Sequence, residues 1–160
     1  MPILEDNEGR MSSSRIREAL KEGELAIAKK LMGRAYRFRG NVVSGRQLGR
    51  EIGWPTANLQ VDGRKFLPGL GVYAAWAWIN PQETPFAAVM NLGPQPTVDP
   101  NSPSAVEVHL LDQKLELSEK ELVIEPVKKL RGQKRFASLE ALSEQIGYDA
   151  KSARSILQDH

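Results

Sequence analysis

Five short strand-like stretches, at 37–43, 72–79, 86–92, 105–111 and 122–130, are separated by Gly, Pro, Asn and Asp clusters. None but the last, at the end of the chain, is followed by a long helical pattern. That excludes repeated βαβ units with a parallel sheet and leaves an antiparallel barrel or sandwich. The end of the chain has a different texture. Leu139, Leu142, Ile146, Ala150, Ala153 and Leu157 recur at helical spacing behind Ser138, a residue type that caps helix N-termini. Residues 12–32 read as two short helices. Ser14 is the expected cap of the first, Ile16 and Leu20 share a face, Gly23 interrupts, and Leu25, Ala28 and Met32 continue the stripe. The expectation is a mainly β fold: a small barrel closed by a C-terminal helix, with a short helical N-terminal extension. At 160 residues the chain can bury a core without staples.

It has no cysteine, so disulfides and thiolate zinc sites are excluded, and its two histidines are too few for a histidine-rich metal centre. No apolar run approaches a membrane span, and the acidic start does not read as a signal peptide, so a cytoplasmic protein is expected. The net charge of +2 is unevenly spread. Residues 10–50 hold eleven Lys/Arg against three Glu, while residues 51–160 hold eleven against fourteen Asp/Glu. A basic front half suits a polyanionic partner, nucleotide phosphate or nucleic acid, and equally a solvated basic surface.

The densest local signal is Gly53-Trp54-Pro55-Thr56-Ala57-Asn58. Pro55 pushes Trp54 into an extended conformation. In an extended segment Thr56 and Asn58 project from one face, offering a hydroxyl and a carboxamide oxygen to a hard cation such as Mg²⁺. The same residues also suit a turn in which Asn58 bonds to its own backbone. Upstream, Ser44, Gly45, Arg46, Gly49 and Arg50 lie in a glycine- and arginine-rich loop whose N–H groups and guanidinium charge suit phosphate oxygens. This is not a P-loop, because Arg46 and Gln47 replace the required Lys and Ser/Thr. In 106–111, Val106, Val108 and Leu110 alternate with Glu107, His109 and Leu111. A glutamate facing into a small barrel needs a partner or a role, and a carboxylate can accept a proton from an attacking hydroxyl; the same pattern also fits a solvent-facing Glu107.

Five motifs stand in order: Gly53–Leu59, Leu67-Pro68 through Gly71-Val72-Tyr73-Ala74, Asn91-Leu92-Gly93 through Pro96-Thr97, Val106–Asp112, and Leu130-Arg131 through Phe136–Leu142. Together they resemble the riboflavin kinase family, specifically the C-terminal kinase half of bacterial bifunctional FAD synthases, over roughly residues 34–157. The resemblance implies a six-stranded antiparallel Greek-key barrel with a helix across it. It implies that Thr56 and Asn58 hold Mg²⁺ and ATP phosphates, that Glu107 is the general base, and that 44–50 is a flap over the nucleotide, with Ser44, Gly45, Arg46 and Gly49 at the phosphates. It also implies that the segment of Arg131 and Phe136 lies against the flavin. Met11–Arg17 resembles the last motif of the FMN adenylyltransferase half, so residues 1–33 are expected to be the tail of that domain and 34–160 the kinase domain. Riboflavin and ATP are the expected partners, with neither nucleic acid nor membrane.

Three departures stand out: Ala137 where the family often has an acid, Gln95 where it often has arginine, and Ser118-Glu119 where it usually has Tyr-Gly. A flavin-binding barrel without catalysis is the alternative, distinguished by its lack of ATP turnover. A nucleic-acid-binding barrel lacks aromatics interleaved with the basic residues.

Overall fold

The computed structural model describes residues 6–43, 57–61, 67–80, 83–93, 106–111, 120–133 and 136–159, with side chains from Ser14 onward. Six strands form the barrel: β1 (Phe38–Val43), β2 (Ala57–Gln60), β3 (Gly71–Ile79), β4 (Phe86–Leu92), β5 (Val106–Leu110) and β6 (Glu121–Arg131). They close in the order β1-β2-β5-β4-β3-β6, and every pairing is antiparallel. The β3-β4-β5 meander folds back so that β5 meets β2, the Greek-key arrangement. Five strands match the strand-like stretches of the sequence; β2 begins inside the Gly53–Leu59 motif.

Alternation decides which side chains fill the barrel. Phe38, Leu59, Tyr73, Ala75, Ala77, Ile79, Ala88, Met90, Leu92, Val106, Val108, Leu110, Leu122 and Ile124 form the interior. The small side chains Ala75, Ala77 and Ala88 among these large ones suit the interior of a narrow barrel. Strand β3 is buried on both faces, which is why GVYAAWAWI reads as a nearly continuous apolar run. Its outward residues Ala74 and Trp76, with Ala87 and Val89 of β4, pack under the C-terminal helix α3 (Leu139–Gln158). The small side chains Ala150 and Ala153 let α3 approach this face closely. Ser138 caps α3 as expected, its hydroxyl accepting from Ala141 N at 3.1 Å. The apolar stripe engages only in its later turns, since Leu139 is exposed.

The N-terminal helices α1 (Asp6–Lys21) and α2 (Leu25–Met32) flank Gly23, whose φ of +76° suits glycine. Ser14 is not a cap. Helix α1 begins well upstream of it, so Ser14 is an internal helical residue. Leu20, Leu25 and Ala28 are buried in the same cluster as the barrel interior. The docking is close: Gly69 N donates to Leu20 O at 2.9 Å, and a Cβ on Gly69 would come within 2.0 Å of Lys21 O. Tyr73 Oη donates to Gly69 O at 2.7 Å, tying this contact to the barrel wall.

Candidate functional site

Glu107 faces the outside of the barrel, not its interior. Val106, Val108 and Leu110 take the inward positions of β5, and the two-residue period sends Glu107 and His109 outward. Glu107 is half-buried there, and His109 is buried. Asn58 is outward for the same reason, since its neighbour Leu59 points into the core. Asn58 is only 5% exposed, unusual for a carboxamide on an outer face.

Strand register joins these residues. Asn58 on β2 is the direct partner of Glu107 on β5, and Glu107 is the direct partner of Asn91 on β4. Asn91 faces Val72 on β3, and Val72 faces Arg131 on β6. With Val43 opposite Asn58, one transverse row crosses all six strands: Val43, Asn58, Glu107, Asn91, Val72, Arg131. Opposed residues share a face with Cβ atoms about 4.5–5.5 Å apart. Asn58, Glu107 and Asn91 therefore form a continuous polar strip on the outer wall.

The far end of the row is anchored by α3. Arg131 Nε donates to Asp149 Oδ1 and Oδ2 at 3.1 and 3.2 Å, and Nη2 donates to Oδ2 at 2.9 Å. Asp149 is 4% exposed and also accepts from Gln145 Nε2 at 3.1 Å. The Arg131 guanidinium lies 5.7 Å from the centre of the Phe136 ring, within cation–π range. Past β6, Gln133 Nε2 donates to Leu92 O at 2.9 Å and to Asn91 Oδ1. The segment after β6 is thus pinned across the end of β3 onto β4.

Of the residues expected at the site, the structure brings Asn58 and Glu107 together and pairs Arg131 with Phe136. Ser44, Gly45, Arg46, Gly49 and Thr56 lie outside the described residues. Asp149, Asn91 and Gln133 join the site without having been marked as site residues. Asp149 had a signal, a lone carboxylate within the apolar stripe of α3, which demands a partner. Asn91 lies in the Asn91-Leu92-Gly93 motif, but neither it nor Gln133 was readable as a neighbour of Glu107, because only the register and the chain after β6 bring them there.

Chemically, the strip offers a carboxylate that can accept a proton and hard oxygen donors that fit a small divalent cation. Among the described residues no group of three or more His, Cys, Asp or Glu is placed to hold a metal, so a cation here would lean on oxygens outside such a cluster. No helix among the described residues is long and apolar enough to cross a membrane.

Residues 32–157 match the family model described as riboflavin kinase. The bifunctional riboflavin kinase/FMN adenylyltransferase of Pseudomonas fluorescens is 40% identical over 147 residues, 92% of this chain and 46% of that protein. The corresponding Escherichia coli K12 protein is 41% identical over 91% of this chain and 45% of its own length. The chain spans about half the length of the curated relatives it matches. A crystal structure described as a macrolide-efflux protein from Streptococcus pneumoniae superposes with a TM-score of 0.80 at 32% identity, over 96% of this chain and 50% of that one. Riboflavin kinase from Trypanosoma brucei superposes with a TM-score of 0.53 at 22% identity, over 76% of this chain and 79% of that one, a likeness of fold.

Proposed function

Because this chain belongs to the riboflavin kinase family, we propose that it transfers the γ-phosphate of ATP to the 5′-hydroxyl of riboflavin, giving FMN and ADP. The observation that carries this reading is the polar row of Asn58, Glu107 and Asn91 on the outer wall, ending at Arg131 and Phe136. It offers a proton acceptor beside a carboxamide oxygen at one end and an aromatic, cationic surface suited to a flat ring at the other.

In this reading Glu107 accepts the proton of the 5′-hydroxyl as that oxygen bonds to the γ-phosphorus and the bond to the β-phosphate oxygen breaks. Phosphoryl transfer needs little covalent help from the protein, so positioning and charge neutralisation carry most of the effect. Asn58, with Thr56, would hold Mg²⁺, which when bound neutralises phosphate charge. The loop bearing Ser44, Gly45, Arg46 and Gly49 is assigned to the ATP phosphates, and Arg131 with Phe136 to the flavin. Residues 34–160 are read as the kinase domain and 1–33 as the linker and tail remnant of an FMN adenylyltransferase domain, a reading supported by the relatives' bifunctional names. A cytoplasmic setting fits an enzyme that draws on ATP.

The test is FMN and ADP formation from riboflavin, ATP and Mg²⁺, followed by chromatography. Flavin binding without ADP formation would instead indicate a non-catalytic flavin-binding barrel. Glu107→Gln keeps size and hydrogen bonding but cannot take the proton, so kcat should fall by roughly 10²–10⁴-fold. Calorimetry should still detect both substrates. A wild-type single-turnover rate in that variant would remove Glu107 from the reaction.

A further inference from the structure

A backbone carbonyl fixes the orientation of two carboxamides beside Glu107. Gln133 Nε2 donates to Leu92 O at 2.9 Å. A carbonyl oxygen only accepts, so the end of Gln133 that faces it must be the NH₂. The same NH₂ faces Asn91, which must therefore present its oxygen, as the Gln133 Nε2 to Asn91 Oδ1 bond records. Gln133 arrives from the end of β6, which borders β3, whereas Glu107 sits on β5, the opposite neighbour of β4. With its oxygen held from the β6 side, Asn91 has its NH₂ left for the β5 side, where Glu107 is its register partner. Asn91 is exposed, so a bound molecule can reach that side chain.

The order along the row then matters. From Arg131 to Glu107 there are three strand-to-strand steps, roughly 14 Å in all. If the flavin ring lies at Arg131 and Phe136 and its terminal hydroxyl at Glu107, the polyol chain must pass Asn91. We propose that Asn91 is a specificity residue of the kinase reaction, its Nδ2 donating to a ribityl hydroxyl adjacent to the one that Glu107 deprotonates. Gln133 is its positioning residue. The acceptor-only carboxylate and the donor carboxamide match neighbouring hydroxyls of a polyol, one giving its proton and the next receiving a hydrogen bond. This inference rests on riboflavin being the substrate.

The experiment compares riboflavin with 10-(5-hydroxypentyl)isoalloxazine, which keeps the terminal hydroxyl and lacks the inner ones. Asn91→Ala should lower kcat/KM for riboflavin by roughly three- to tenfold, the worth of one neutral hydrogen bond, and leave the KM for ATP unchanged. The analogue should be turned over equally well by wild type and variant. Equal losses on both substrates would overturn the proposal. Gln133→Glu removes the donor that Leu92 O requires and draws the Asn91 NH₂ toward itself, so it should reproduce the Asn91→Ala loss. In the Asn91→Ala background it should add nothing; a full further loss there would mean that the new charge, not the orientation of Asn91, is responsible. Glu107→Gln serves as the reference. If it loses turnover on both flavins while Asn91→Ala fails to discriminate between them, the kinase reading stands and the assignment of Asn91 falls. Wild-type turnover by Glu107→Gln would remove both.

Discussion

Replacing Asp149 by alanine would leave the Arg131 guanidinium facing the covered face of α3 without its carboxylate. The variant loses contacts from Arg131 at 2.9, 3.1 and 3.2 Å and one from Gln145 at 3.1 Å. Breaking a buried ion pair by removing one partner costs about 3–5 kcal/mol. Here the Arg131 side chain retains 21% exposure, so water compensates part of the loss. Discounted for that access, the cost is about 2–3 kcal/mol. For a chain of this length each kcal/mol moves the melting temperature by roughly 2–4 °C, so Asp149→Ala should lower Tm by roughly 4–12 °C. Thermal unfolding followed by circular dichroism measures this directly. A double variant, Asp149→Leu with Arg131→Met, should regain most of the loss, because apolar residues of similar volume replace buried ion pairs at little cost. On the proposed flavin assignment of Arg131 and Phe136, the double variant should bind riboflavin more weakly than wild type, since the cation over Phe136 is gone. An Asp149→Ala protein within about 0.5 kcal/mol of wild type, the range of surface substitutions, would refute the reasoning and mean that apolar contacts alone hold α3.

Asn58→Ala should depress kcat by roughly 10²-fold or more with the barrel intact, as expected for one lost preorganised contact, and excess EDTA should abolish FMN formation; normal kinetics in either case would remove the metal assignment. Gly69→Ala should destabilise the protein by about 1–3 kcal/mol, the usual cost of overpacking, because its Cβ would meet Lys21 O. Limited proteolysis should then cut α1 and α2 away from the barrel, and unchanged protection would show that the helices dock otherwise. Burial pushes the Tyr73 hydroxyl up from 10.0 to about 12, and Tyr36 is raised by the same cause. Between about pH 10 and 12 the folded chain keeps a proton that the unfolded chain releases, so stability is full below that window and falls as pH rises through it. Tyr73→Phe should flatten the fall in Tm across this range, and an unchanged slope would exclude Tyr73 as its source.

What local sequence determines about this protein is periodicity and chemistry. Alternation at 106–111 marks a strand because side chains in a strand divide between two faces. Ser138 is readable as a cap because its hydroxyl satisfies a helical N–H three residues away. The motif order identifies the family, since residues that carry chemistry keep their spacing within a segment. Strand β2 was hidden by its length: Ala57–Gln60 is too short to show an alternation, and its pairing with β1 and β5 makes it a strand. Glu107 could be placed on a face of β5, but which face is interior depended on how the sheet closed. Ser14 looked like a cap because its residue type favours one, yet α1 begins at Asp6 and leaves Ser14 inside the helix. The row from Asn58 to Arg131 draws one residue from each of five strands far apart along the chain. Their meeting is fixed by register, a long-range hydrogen-bonding relation that no local pattern encodes. The orientation of Asn91 is likewise tertiary, because it is set by a carbonyl on its own strand through a side chain 42 residues away.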